Sequence, residues 1–153
     1  MKVVYSCYWG SYLAVVAASL HLGYIDKVTD IFTLHLFNNK NDHELGELIP
    51  IGKDDKGREI YVIGSKKSGK ILAKTLSGIA KVYGFTADSV LFVDLNHFYN
   101  NLILLGIFLI RKLKLVSIGT RLIVKGIKKN YEKLKNIVQS IRDKPVPKDH
   151  RGV

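Results

Sequence analysis

The sequence is short of cysteine, proline, acidic residues and long apolar runs. Its single cysteine, Cys7, excludes an intrachain disulfide framework. Three prolines among 153 residues exclude a fibrous or low-complexity chain. The longest apolar stretch, Leu102 to Ile110, is stopped by Arg111 and Lys112; a helical membrane span needs about 20 apolar residues. Export is also disfavoured. Lys2, an apolar stretch and Ala17-Ala18-Ser19 imitate a secretory signal, but Tyr5, Ser6, Tyr8, Gly10, Ser11 and Tyr12 interrupt it. The expectation is a cytoplasmic protein with Cys7 reduced.

Apolar residues at 47% and charged residues at 24% are ordinary for a globular domain and exclude a disordered chain. The charge is lopsided: 24 Lys+Arg against 13 Asp+Glu give a net +11. Residues 1–60 carry −2 and residues 61–153 carry +13, read directly from the sequence. The densest region runs from Arg111 to Lys135, where Arg111, Lys112, Lys114 and Arg121 precede five lysines and Glu132 is the one acid. Such a field attracts polyanions, phosphorylated ligands or an anionic surface. It serves equally well as a solvated face, and no nucleic-acid motif accompanies it.

Along the chain, Lys2 to Cys7 is β-prone, and Tyr12 to Leu22 is a small-residue helix closed by Gly23. Asp30 is placed to cap a turn, and Asn38 to Asp42 is turn-prone. Leu48 to Gly52 and Glu59 to Gly64 form a hairpin with Gly57 at positive φ. Ser68 caps a helix over Gly69 to Tyr83; Asp88 to Asp94 holds a buried strand; Asn96 to Lys114 is an apolar helix with a basic end. Leu115–Ser117 and Leu122–Val124 read as short β-prone runs around Gly119. Lys128 to Asp143 is an amphipathic helix ended by Pro145 and Pro147. Alternating strands and helices predict one α/β domain over residues 1–144, three-layered, with a mainly parallel sheet and an antiparallel edge hairpin. Residues 145–153 are expected to be a flexible tail.

Four segments are candidates for chemistry. At Ser6 to Ser11 a strand turns into a helix, where unpaired amides and the helix dipole favour an anion. Gly10 and Ser11 would supply those amides. A helix N-terminus also lowers a thiol pKa, which makes Cys7 a candidate nucleophile; a buried structural cysteine is the commoner role. Gly64-Ser65-Lys66-Lys67-Ser68-Gly69-Lys70 matches G-x-x-x-x-G-K between a strand and a helix. Ile71 replaces the hydroxyl that would hold Mg²⁺, so the segment is read as a turn plus an N-cap, with nucleotide binding the minority reading. Asp94 ends a strand, and His97 is the best placed of five histidines for acid–base work; helix capping accounts for the same residues. Arg111 and the Ser117–Arg121 loop can grip a phosphate, or can simply be a charged helix end and a surface turn. His21, His35, His43 and His150 show no ligand spacing, so no metal is predicted.

Cys7-x-x-Gly10-Ser11 is similar to the cysteine loop of phosphotransferase-system B subunits, which implies phosphate carried on the cysteine. Over most of its length the chain resembles the bacterial domain of unknown function family 3189, common in endospore-formers. The resemblance rests on Val4-Tyr5, Cys7-Tyr8, Gly10, Val15 to Ala18 and His21-Leu22-Gly23. It continues through Tyr61 to Gly64, Val93-Asp94, Asn100, Gly106, Phe108-Leu109, Arg111, Leu115 to Ser117, Gly119, Gly126 and Tyr131. Similar proteins carry His at Ser6, Gly at Trp9 and His-Ser-Ser at Tyr12-Leu13-Ala14. They also carry Ser at Ile110 and Arg-Pro at Thr120-Arg121. If the family's first loop is catalytic, the degenerate loop implies a member that binds without reacting. The family has no agreed activity, so the resemblance bears on fold.

Together these readings favour binding of a small anionic or phosphorylated ligand at the first strand–helix loop. The candidate ligand-binding residues are Gly10, Ser11, Asp94, Asn100, Arg111, Gly119 and Arg121; Cys7 and His97 are the candidates for catalysis. An enzyme with Cys7 as nucleophile in phosphotransfer or hydrolysis, a nucleic-acid module on the basic face, and a regulatory interaction protein using Trp9 and Tyr12 remain alternatives. Cofactor and oligomeric state are unspecified.

Overall fold

A computed structural model describes residues 1–34, 46–84 and 89–146. The expected turn at Asn38 to Asp42, three of the histidines (His35, His43 and His150) and most of the expected tail lie outside these residues.

The chain begins with β1 (Lys2–Cys7) and α1 (Tyr12–His21), followed by a 3₁₀ turn at Val28–Thr33. The hairpin β2 (Leu48–Lys53) and β3 (Glu59–Gly64) leads into α2 (Gly69–Val82) and β4 (Val90–Asp94). A 3₁₀ turn at Asn96–Phe98 precedes α3 (Asn101–Leu113) and the long α4 (Val116–Asp143). The sheet order is β2-β3-β1-β4. β1 pairs in parallel with β3 and β4, and β2 runs antiparallel at the edge beside β3. Pro50 sits on that edge strand, beside a register shift before Gly52, where a missing amide donor does least harm. The fold is α/β, as the strand–helix alternation predicts.

β1 is internal, and Val3 through Cys7 are all buried. This explains why its sequence is a continuous apolar run and not an alternating one. From β1 the chain moves to β3 on one side; from β3 it crosses back over β1 to β4. Right-handed crossovers in opposite directions put α1 and α2 on opposite faces of the sheet. α1 is buried from Leu13 through His21 between the sheet and α4, and its small, uniformly apolar residues suit that position. Gly23, at φ +71°, ends it; Gly23 and Tyr24 donate to the carbonyls of Leu20 and Ser19, a Schellman cap.

Two sequence expectations are corrected. Leu115–Ser117 and Leu122–Val124 are not β-runs around a turn; Leu115 is the N-cap of α4, the other residues lie within it, and no loop exists at Ser117–Arg121. β-branched residues there suggested strand, but Gly119, Ile123, Val124, Gly126 and Ile127 are buried along one helical face, and packing overrides weak propensity. Gly119 and Gly106 permit the α3–α4 crossing: a Cβ on Gly119 would lie 2.6 Å from the Gly106 carbonyl oxygen, and the converse holds. The single helix expected from Asn96 to Lys114 is instead broken at Tyr99–Asn100. Asn100 caps α3, its side chain accepting from the Ile103 amide at 3.1 Å and donating to the Gly126 carbonyl at 2.8 Å.

The amino ends of the parallel strands carry a buried polar cluster that pattern reading missed. Arg58 is 0% exposed. Its Nε donates to Asp54 at 2.6 Å, and its Nη atoms donate to the carbonyls of Ile141 at 2.8 Å and Arg142 at 3.1 Å. The guanidinium thereby satisfies orphan carbonyls at the end of α4 and opposes that helix's dipole. Asp54 also lies 3.0 Å from His21 Nε2, and the Tyr5 hydroxyl lies 2.7 Å from Nδ1. A carboxylate only accepts, so Nε2 carries the proton and Nδ1 accepts from Tyr5. Burial lowers the His21 pKa, outweighing the Asp54 hydrogen bond that raises it, and Arg58 adds to the lowering. Burial alone would raise the Asp54 carboxyl, but bonds from His21 and Arg58 hold it at about 2.

Removing the guanidinium leaves Asp54 and the helix carbonyls without their partner. Arg58→Met is expected to cost about 3–5 kcal/mol, read as a lower urea midpoint, and Arg58→Lys should not restore it because an ammonium lacks the planar fork. The unfolded chain binds the His21 proton more tightly than the folded one, so acidification below 6.5 favours unfolding. The Asp54 contribution is complete above 3.8 and is lost as pH falls toward 2. Thermal melts across pH should show both declines, and His21→Gln should abolish the first.

Candidate functional site

Because β1, β3 and β4 are parallel, their carboxyl ends and the loops that follow them meet on one side of the sheet. Backbone bonds knit the loops together. The amides of Ser65 and Lys66 donate to the carbonyls of Cys7 and Tyr8, each at 3.0 Å, and the Leu95 amide donates to Ser6 at 2.8 Å. Ser6 Oγ donates to Ser65 Oγ at 2.7 Å, and Asn96 Nδ2 donates to the Lys66 carbonyl at 3.2 Å. Gly10 has φ +74°, and a Cβ there would come within 2.6 Å of the Gly64 amide nitrogen. Only glycine lets the first loop lie this close to the end of β3.

Beyond these loops lies a cleft of about 830 Å³ between α2 and α3. Lys66, Lys67 and Lys70, at the entry to α2, form one side. Leu104, Ile107 and Phe108 on α3 form an apolar wall, with Arg111 and Lys112 a turn further on. Tyr8 and Trp9 from the first loop and Asp94, Asn96 and Tyr99 from the end of β4 complete the lining. The Arg111 guanidinium sits 4.0 Å from the Trp9 ring centroid, and Tyr8 meets Trp9 edge-on at 4.8 Å. Trp9 is therefore pinned in the wall by a cation–π contact, and the cleft stays open beside it.

One side-chain atom of these residues, Asn96 Oδ1, is buried without a hydrogen-bond partner among the described residues, while the Tyr99 hydroxyl is turned toward the Cys7 thiol and the Trp9 amide. The Asn96 orientation follows from its Nδ2 donating to a carbonyl. Burial raises the Tyr99 pKa, with the nearby Cys7 adding to it, so the phenol remains a protonated donor. Asp94 Oδ1 accepts from the Asn96 amide at 3.0 Å, and a Cβ on Gly69 would lie 3.1 Å from Asp94 Oδ2. That glycine brings the carboxylate against the first turn of α2.

Of the candidate ligand-binding residues, Asp94 and Arg111 line this cleft, together with Trp9 and the Lys66, Lys67 and Lys70 of the GxxxxGK segment. Cys7 lies beneath it, 0% exposed. Burial raises its thiol pKa, partly offset by the hydrogen bond with the Tyr99 hydroxyl and by the backbone amides of Ala14, Gly10 and Trp9, which turn inward toward the sulfur. Gly10 packs on Gly64 and Ser11 is the N-cap of α1, and neither is part of the cleft wall. Asn100 and Gly119 serve the α3–α4 packing. Arg121 is exposed on α4, on the same helical stripe as Lys125, Lys128 and Lys135. His97 is exposed and borders a separate hollow of about 430 Å³ with Asn130 and Lys133. Among the described residues no cluster of His, Cys, Asp or Glu could hold a metal ion, and no helix is long and apolar enough to cross a membrane.

Lys66, Lys67 and Lys70 belong to the GxxxxGK segment, which the sequence alone reads as a turn plus an N-cap, and Asn96 belongs to the Asp94–His97 segment, read as capping a helix. Tyr99 is the contributor that sequence reasoning passed over, and no spacing signalled it. The enclosed thiol makes a direct prediction. Cys7 in the folded chain should resist iodoacetamide near neutral pH and label stoichiometrically only after denaturation, whereas rapid native labelling would indicate an accessible thiolate.

No curated protein and no solved structure matches this chain. One family model does, that of a protein of unknown function, DUF3189, over residues 2–143. The matched region runs from the start of β1 to the end of α4 and contains the whole cleft. The chain belongs to the DUF3189 family.

Proposed function

We propose that the protein binds a small phosphorylated ligand in the cleft at the carboxyl ends of β3, β1 and β4. One observation carries this reading: cationic side chains from two separate segments, Lys66 and Lys67 before α2 with Lys70 in its first turn, and Arg111 and Lys112 on α3, border one cleft that contains a single carboxylate, Asp94. The first-turn amides of α2 lack intrahelical partners and add a positive dipole end at the lysines. The β1–α1 loop contributes Tyr8 and Trp9, and the amides of Gly10 and Ser11 are not needed as donors. Asp94 would orient the ligand by accepting from its hydroxyl or amine groups, and Arg111 would balance its charge. In this reading the protein works in the bacterial cytoplasm, where phosphorylated metabolites are held and Cys7 stays reduced. No reaction is assigned.

Inorganic pyrophosphate is the test probe. Calorimetry should show binding to the wild type, and Lys67→Ala/Lys70→Ala should weaken it about tenfold or more, equivalent to about 1.4 kcal/mol. Lys125→Ala/Lys128→Ala on α4 should leave it unchanged. No binding by the wild type, or equal loss from both pairs, would overturn the cleft reading; equal loss would favour a diffuse polyanion face.

A further inference from the structure

We propose that the outward face of the α3–α4 helical hairpin docks on an anionic lipid surface. α3 is apolar almost all round, a pattern that suits a helix enclosed on every side, yet only Ile103, Gly106 and Ile107 of its residues are buried. Leu104, Leu105, Phe108, Leu113, Leu115 and Ile118 are each 45–53% exposed. Leu105, Leu109 and Leu113 recur every four residues and lie in one line along α3; Ile118 and Leu122 form a second line at the start of α4. Lys114, left-handed at φ +58°, turns one helix directly into the next, with Leu113 and Leu115 on either side of it. Leu104 and Phe108 also belong to the cleft wall, but Leu105, Leu113, Leu115 and Ile118 do not. The face therefore does not depend on the phosphorylated-ligand reading.

Two observations select the occupant. The first is charge. Exposed Arg111, Lys112, Lys114, Arg121 and Lys125 accompany the apolar residues, and no acidic residue occurs between Asp94 and Glu132. An anionic surface complements that rim. A second copy seated here about a two-fold axis would set these cations against their own equivalents, a like-charge juxtaposition that disfavours pairing. The second is the kind of apolar side chain. The exposed residues are Leu, Ile and Phe, with no Tyr, Trp or Met among them. Leu, Ile and Phe are the side chains that enter a bilayer most favourably, whereas protein interfaces take their binding energy from Tyr and Trp anchors and use Leu sparingly. Among the described residues no helix is long and apolar enough to cross a membrane. The hairpin would lie in the plane of the interface, its leucines at the acyl boundary and its lysine stems reaching back to the headgroups.

Co-sedimentation of the full chain with vesicles tests this, using phosphatidylcholine alone and phosphatidylcholine with phosphatidylglycerol in equal parts. The mixed vesicles should bind the chain about tenfold or more tightly than the neutral ones, and Lys114→Glu/Lys125→Glu should remove that preference. A net charge of +11 draws the chain to any anionic surface, so the deciding variant keeps the charge. Leu105→Gln/Ile118→Gln should weaken binding to mixed vesicles about tenfold and leave the thermal melt and the pyrophosphate titration as in the wild type. Leu113→Gln, at the turn, takes its place if that melt is lowered. Binding to mixed vesicles that survives the glutamine variants is charge attraction alone and overturns the proposal, as does equal binding to both vesicles. No binding to either overturns it in favour of an acidic protein partner, and a vesicle-free dimer that Leu105→Gln/Ile118→Gln dissolves overturns it in favour of a second copy. Vesicle binding without pyrophosphate binding would sink the cleft reading and leave this one standing.

Discussion

The buried guanidinium of Arg58 ties together segments that would otherwise have no reason to meet. It sits one residue before β3, holds the hairpin turn through Asp54, and clamps the carboxyl end of α4 through main-chain carbonyls. Through Asp54 it also reaches His21, the last residue of α1, and from there Tyr5 on β1. A charge taken wholly out of water costs several kcal/mol unless its partners are complete. The arginine's hydrogen bonds are complete only when the hairpin turn and the carboxyl end of α4 are both in place. The Tyr131 hydroxyl, donating to the Asp26 carbonyl at 2.9 Å, secures the same helix midway along its length.

This anchoring lies at the amino ends of the parallel strands, and the cleft lies at the other. Such a division suits an open α/β sheet, in which ligand sites collect outside the carboxyl ends. α4 links the two. Its carboxyl end is fixed by Arg58, and nearer its start it packs on α3 through the glycine contacts. The close crossing sets where α3 stands, and α3 carries the apolar wall, Arg111 and Lys112. The position of the apolar wall thus depends on helix contacts that lie outside the cleft lining.

The first loop shows how one local geometry can serve two ends. A strand leading into a helix presents amides that are able to receive an anion. Here the amides of Trp9, Gly10 and Ala14 turn onto the Cys7 sulfur, and the outward face of the loop is given to Tyr8 and Trp9. The anion-attracting charge is moved to the neighbouring Lys66–Lys70 turn. Ser6 and Ser65, bonded to each other in the interior, join the two loops so that they act as one wall.

Local pattern was enough for β1, the Gly23 cap, the hairpin with its Gly57 turn, α2, β4, and the α/β class. Each rests on neighbours in sequence: a run buried on both faces, a residue at positive φ, a helical repeat. The strand-end position of Asp94 and the basic end of α3 were legible for the same reason. Tertiary structure alone decided the rest. Gly119 looked like a turn residue because its role, admitting the Gly106 carbonyl, belongs to another helix. Arg58 looked like a loop charge because its acceptors lie more than 80 residues away. Tyr99 carried no periodic signal at all, and only its place in the cleft lining, with its hydroxyl toward Cys7, distinguishes it. Sequence spacing encodes what a segment does to its own backbone; which side chains share a cleft is set by how strands align and helices cross.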